Sequence, residues 1–185
     1  MDAIRQYLRE NGRFKHVWYD YWTLPVMTKD AATDAAAGAA AGAAAGAAAD
    51  ASEASDARMR ELCSLLYLGC TVLVLLSDEY VRDFGCAVEA WLSMQSCTDA
   101  GLRPSSHARA RCVLRPLPGC HRSQAGMLMQ AWCGVAAEEA HAILEASGDL
   151  STATSRRSAF GADRPATVQR LRRLDEQVHE ATPSD

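Results

Sequence analysis

The chain predicts an α/β fold, with helices packed from both sides onto a parallel sheet, and three observations carry that prediction. The first is the unbroken apolar run Thr71-Val72-Leu73-Val74-Leu75-Leu76, bordered by Gly69 on one side and Ser77-Asp78 on the other. Such a run, short and without alternation, reads as a strand covered on both faces, hence parallel and central. The second is a helical pattern that resumes at once, with Phe84, Val88, Trp91 and Leu92 at i, i+4, i+7 and i+8 to cover the sheet. The third is helical spacing before the strand, where Met59, Leu62, Cys63, Leu66 and Tyr67 recur and Gly69 stops the helix.

The remaining elements follow from the same two periods. Ile4, Tyr7 and Leu8 mark a first helix over residues 2–10, ended by Asn11-Gly12. The aromatic-rich stretch Lys15 to Trp22 reads as a strand running into a loop that Pro25 terminates. From Ala35 to Ala49 three alanines and a glycine repeat, inside an Ala/Gly-rich insertion over 31–54. Alanine favours helix, each interior glycine costs about 1 kcal/mol, and no large residue is present to dock such a helix, so the segment reads as low-complexity. Ser96–Ser106 reads as a loop on account of Gly101 and Pro104. Cys112-Val113-Leu114 is a second short strand closed by Pro116 and Pro118, and Gln124–Leu150 is helical with a break at Gly134. Met127 and Met129 read as core filler. A flexible link over 151–166 then leads to a helix over 167–180, where Val168, Leu171, Leu174 and Val178 are spaced by three, three and four. The expected domain therefore spans 1–150 and recruits the last helix.

Charge and cysteine usage narrow the function classes. Residues 1–98 carry eight Lys/Arg against thirteen Asp/Glu, and residues 99–185 eleven against ten. The arginines near the end have only Phe160 among them as an aromatic, which fits a solvated helix face and no nucleic-acid partner. Seven cysteines, an odd number, sit partly inside apolar patterns and include no CxxC pair, so a reducing compartment is expected and a structural zinc site is not. The N-terminus Met-Asp-Ala-Ile-Arg-Gln lacks the apolar segment of a secretory leader, and no apolar run approaches the ~20 residues of a membrane span. A cytoplasmic location is the expectation.

No phosphate-binding loop of the GxxxxGK type, GxGxxG turn, HExxH helix or GxSxG elbow occurs. The carboxylate best placed for chemistry is Glu89, on the helix after the apolar strand, with the small residues Gly85 and Cys86 on its N-terminal side. In an open α/β sheet ligands collect beyond the carboxyl ends of parallel strands, and Asp20, after the earlier strand, reaches toward the same rim. Two plainer readings stand beside these: Glu89 as a boundary glutamate on the wet side of its helix, and Asp20 as a turn residue bonded to local backbone.

The succession Trp18-Tyr19-Asp20-Tyr21-Trp22, a helix, Val72–Leu76, Ser77 with Tyr80, and Cys86 with Glu89 resembles the Toll/interleukin-1 receptor (TIR) domain and its TIR-like relatives in microbes and algae. The resemblance implies a flavodoxin-like three-layer fold around a parallel five-stranded sheet, with Arg111–Leu114 as the fourth strand and a last helix within Thr167–Glu180. It is dense over 17–25 and 62–95. Members of that family are either self-associating scaffolds or enzymes that cleave the nicotinamide–ribose bond of NAD, and in the enzymes the glutamate of the signature helix, matching Glu89, is catalytic. A carboxylate beside the ribose stabilises the oxocarbenium-like charge left when nicotinamide departs.

The sequence departs from the family pattern at three places. It opens at Asp2 with the helix that follows the family's first strand, so the sheet is expected to be incomplete. Gly85 stands where a tryptophan is usual, and the Ala/Gly insertion occupies the loop that covers the pocket. The expected function is accordingly a TIR-like protein–protein interaction and self-association module in signalling, with an eroded nucleotide pocket, no cofactor, and a homotypic or TIR-like partner. The alternative is an NAD glycohydrolase with NAD as substrate, Glu89 as the catalytic carboxylate, and Asp20, Trp22 and Cys86 as nucleotide-binding residues.

Overall fold

The computed structural model describes residues 2–12, 61–146 and 163–182. Within them the chain is a mixed α/β protein. The elements in order are α1 (Asp2–Glu10), α2 (residues 61–69), β1 (Val72–Leu76), a 3-10 turn (Tyr80–Arg82), α3 (Phe84–Ser93), β2 (Gln95–Thr98) and β3 (Gly101–Pro104). A single helical turn, α4 (Ala108–Arg111), then precedes β4 (Cys112–Pro116), α5 (Ser123–Trp132), α6 (Ala137–Ala146) and α7 (Arg164–Ala181). The expected aromatic strand at 15–22, the insertion at 31–54 and most of the link at 151–166 lie outside the described residues.

The apolar run forms a parallel strand, but among the described residues it pairs with β4 alone and only Val74 and Leu76 are buried, so the expected central place with cover on both faces is not reached. β1 pairs in parallel with β4, in a register that sets Val72 against Cys112 and Leu76 against Pro116, and the amide of Leu117 continues the ladder to the Leu76 carbonyl at 2.8 Å. A parallel pair requires a crossover, and here that crossover contains α3, the β2–β3 hairpin and α4. The N-terminal helix also forms where its spacing places it: Tyr7 is buried, and Asn11 closes the helix by donating from both its backbone and its side-chain amide to the Tyr7 carbonyl at 3.0 Å. The Arg115 guanidinium at the end of β4 sits 5.8 Å from the Tyr7 ring and 2.8 Å from the Glu10 carboxylate, which fastens α1 to the sheet.

α3 departs from expectation in the extent of its burial. A helix with one apolar face should leave the other in water, yet every residue from Phe84 to Ser93 except Cys86 is buried. The 3-10 turn, α5 and α6 pack against it. Trp91 anchors the arrangement, its indole Nε1 donating to the Val135 carbonyl at 3.1 Å in the turn between α5 and α6.

Three sequence expectations are corrected. The loop over Ser96–Ser106 is instead an antiparallel hairpin, Gln95–Thr98 with Gly101–Pro104, closed by the two residues Asp99 and Ala100. Gly101 has φ +88°, a conformation that favours glycine, so the residue read as a loop marker is the hinge of a tight turn. Its strands carry no apolar alternation, because they are held by a remote group: the Asp175 carboxylate of α7 accepts from the Leu102 amide at 2.5 Å. Met127 is 61% exposed and fills no core, whereas Met129, two positions on and facing the other way, is buried with Leu128 and Trp132. The last helix begins at Arg164, so residues 164–166, read as the end of a link, form its first turn; the Asp163 carboxylate caps it by accepting from the Ala166 amide at 3.0 Å, and Pro165 occupies the first turn, where a missing N–H costs nothing. The apolar stripe Val168, Leu171, Leu174 and Val178 is buried as its spacing requires.

Gly101 offers a direct test of this packing. A β-carbon there would stand 2.5 Å from the Asp175 carboxylate oxygen on a backbone already at positive φ. Gly101→Ala is expected to lower unfolding free energy in a urea titration by about 2 to 4 kcal/mol, the sum of left-handed strain and a weakened charge-assisted hydrogen bond.

Candidate functional site

The carboxyl end of β1 leads into a short polar segment that the backbone itself ties down. Ser77 accepts from the Tyr80 amide through both its carbonyl at 3.2 Å and its hydroxyl at 3.3 Å, which starts the 3-10 turn. Asp83 follows in extended conformation, φ −91° and ψ 130°, and its carboxylate accepts from the Cys86 amide at 3.0 Å. An aspartate in that position satisfies one of the orphan donors of the first turn and places negative charge at the positive end of the helix dipole. The cap thereby sets the rotation of α3, and Glu89 is carried to the side of Cys86, one turn further on.

Glu89 is 8% exposed, which removes its reading as a boundary glutamate on the wet face. Asp83 is buried as well, and Cys86 is half-buried. Tyr80 lies within electrostatic reach of all of them. Burial pushes its phenol pKa well above the ordinary value of 10.0, and the Glu89 carboxylate, Cys86, Cys112 and Asp83 add to the rise. A phenol in that setting stays protonated and remains a hydrogen-bond donor. Around the cluster, the Arg164 guanidinium from α7 lies 5.3 Å from the Phe84 ring, bringing a cation to the first turn of α3.

Of the four residues singled out from the sequence, the structure brings together Glu89 and Cys86; Asp20 and Trp22 lie outside the described residues. Two further members, Tyr80 and Asp83, were not assigned a role at the site. Asp83 is legible in retrospect as an aspartate standing just before an apolar-periodic stretch, the usual sign of an N-cap. Tyr80 belongs to the Ser77/Tyr80 pair, but its closeness to Glu89 depends on the 3-10 turn and has no local signal. Among the described residues no group of three or more His, Cys, Asp or Glu side chains is placed to hold a metal ion, and no helix is long and apolar enough to cross a membrane.

The chemistry present is a buried carboxylate within electrostatic reach of a phenol that holds its proton. The coupling is open to measurement. Glu89→Gln removes a negative charge from the surroundings of Tyr80, so the phenol should ionise at lower pH in a spectrophotometric tyrosine titration. Because the folded-state pKa is raised, Tyr80 binds its proton more tightly in the folded chain, and its contribution to stability is present below about pH 10 and lost as pH rises beyond it. An unchanged tyrosine titration in the variant would separate the two residues.

Comparison of the chain with models of protein families, with curated proteins and with solved structures finds no match.

Proposed function

We propose that the chain is a TIR-like interaction module that associates with further copies of itself or with a TIR-like partner in cytoplasmic signalling. In this reading β1 and β4 are neighbouring strands of an incomplete flavodoxin-like sheet with helices in the outer layers, and the nucleotide pocket is eroded. The observation that carries association is on α2. Leu62 and Leu65, three positions apart and hence on one side of the helix, are 47% and 50% exposed. Moving such side chains out of water yields up to about 1.5 to 3 kcal/mol each when fully buried. Seven free cysteines fit a reducing setting. The reading assigns no role to nucleic acid and needs no cofactor.

A second reading has its own support in the burial of Glu89 next to a protonated Tyr80. There the chain is an NAD glycohydrolase. The bond between nicotinamide and ribose breaks, the electron pair leaves with nicotinamide, the Glu89 carboxylate stabilises the positive charge that develops on the ribose, and water adds to the anomeric carbon and gives its proton to solvent. Cys86, with Asp20 and Trp22, would face the nucleotide. Nicotinamide is a good leaving group, so no second catalytic acid is required.

The two readings separate by measurement. For the module, molar mass across a dilution series is expected to rise with concentration, and the double variant Leu62→Glu, Leu65→Glu to remain monomeric while keeping its helical circular dichroism. A wild-type chain that stays monomeric throughout, alone and in mixed fractions, overturns association. For the enzyme, nicotinamide release from NAD is expected at concentrations that permit oligomers and to fall by at least about a hundredfold in Glu89→Ala. No release from the wild type under those conditions removes that reading.

A further inference from the structure

α6 opens with Glu138 and Glu139 in water and turns Ala140, His141 and Leu144 inward. His141 is 4% exposed, and its Nε2 is buried with no hydrogen-bond partner among the described residues. Its ring meets Trp91 of α3 edge to face, with centroids 5.9 Å apart and planes at 68°. Trp91 is itself fully buried and bonded to the Val135 carbonyl, so the histidine fills a slot whose far wall cannot yield. A neutral imidazole tolerates that place as an aromatic ring. An imidazolium does not, since both nitrogens then donate and the charge has no water.

Four charged groups surround His141, and three of them are engaged elsewhere. From α7 come Arg172 and Asp175, and from α6 itself Glu138 and Glu145; α3 meets the ring with Trp91. Arg172 pairs with Glu145 at 2.9 Å, and Asp175 accepts from the Leu102 amide of the hairpin. A proton on His141 is therefore repelled by Arg172; recruiting a nearer carboxylate would draw Glu145 from its ion pair or Asp175 from the hairpin, and Glu138, held in water, gives the weakest of the three attractions.

We propose that His141 is a proton-operated latch: neutral, it lets α6 and α7 close over α3, and protonated, it releases them together with the β2–β3 hairpin. Burial pushes the imidazole pKa below its ordinary 6.5, the Arg172 guanidinium lowers it further, and Asp175, Glu145 and Glu138 oppose the change. The unfolded or opened chain takes up a proton near 6.5 while the closed chain resists it. Stability is thus full above that value and declines as pH falls through the window beneath it. The inference is independent of what α2 or Glu89 does.

The test uses the full chain. In a histidine-resolved NMR titration the His141 ring is expected to change protonation below the ordinary value, and a midpoint at or above it overturns the proposal. Amide hydrogen exchange, corrected for intrinsic chemistry, is then compared at about pH 7.5 and about pH 5.5. Protection over α6, α7 and the hairpin should drop in the wild type, by at most about tenfold, the ceiling set by one pH unit of wholly unmatched protonation, with β1 and β4 keeping more of theirs. In His141→Phe, which keeps a ring against Trp91, the drop should be absent. An equal drop in the variant, or a loss in the wild type spread evenly over strands and helices, sinks the latch.

Discussion

The enclosure of α3 on nearly every side is the constraint on which the rest of this structure depends. A helix of ten residues with nine of them buried cannot rely on solvent for either end or for any polar side chain. Its N-terminus is met by the Asp83 carboxylate and by the Asp83 carbonyl, which accepts from Ala87 at 3.0 Å. Its large side chain, Trp91, is met by a turn between two later helices. The 3-10 turn, α5 and α6 pack against this helix, and α7 packs on α6 and on the hairpin. The crossover between β1 and β4 accordingly holds the most deeply buried helix of the described residues.

Enclosure also explains where the titratable chemistry sits. Polar groups carried inward by α3 and its neighbours lose water and must be answered locally. Toward the β1 end, burial first and then the Glu89 carboxylate push the Tyr80 phenol pKa up. Toward α6, the Trp91 ring meets an imidazole that is kept neutral by burial and by Arg172. One helix thus separates an acidic cluster from a basic group at risk of charging. Among the described residues α2 exposes Leu62 and Leu65, α5 exposes Met127, and α3 keeps the Glu89 carboxylate under cover.

The seams between elements are closed by a few long side chains. Arg111, at the end of the single turn before β4, donates to the carbonyls of Tyr67, Leu68 and Gln95. Two of those carbonyls belong to the last turn of α2, which has no intrahelical partners for them. One guanidinium therefore closes a helix and ties it to the hairpin. Asp175 does the corresponding work from α7, across 73 residues of sequence, and leaves room only for a glycine at 101.

What the sequence by itself determined is the set of elements whose cause is local. The unbroken apolar run Val72–Leu76 specified a strand, and the three-and-four spacing of Val168, Leu171, Leu174 and Val178 had no strand solution. Apolar period, glycine stops and capping residues depend on neighbours a few positions away, so they can be read along the chain. The tertiary structure alone decided the hairpin at Gln95–Pro104, the depth of Glu89, the split fates of Met127 and Met129, and the isolation of His141. Each of these rests on a partner tens of residues distant. A glutamate on a helix looks the same in sequence whether its helix is covered on one side or on all, because burial is a property of what packs against it.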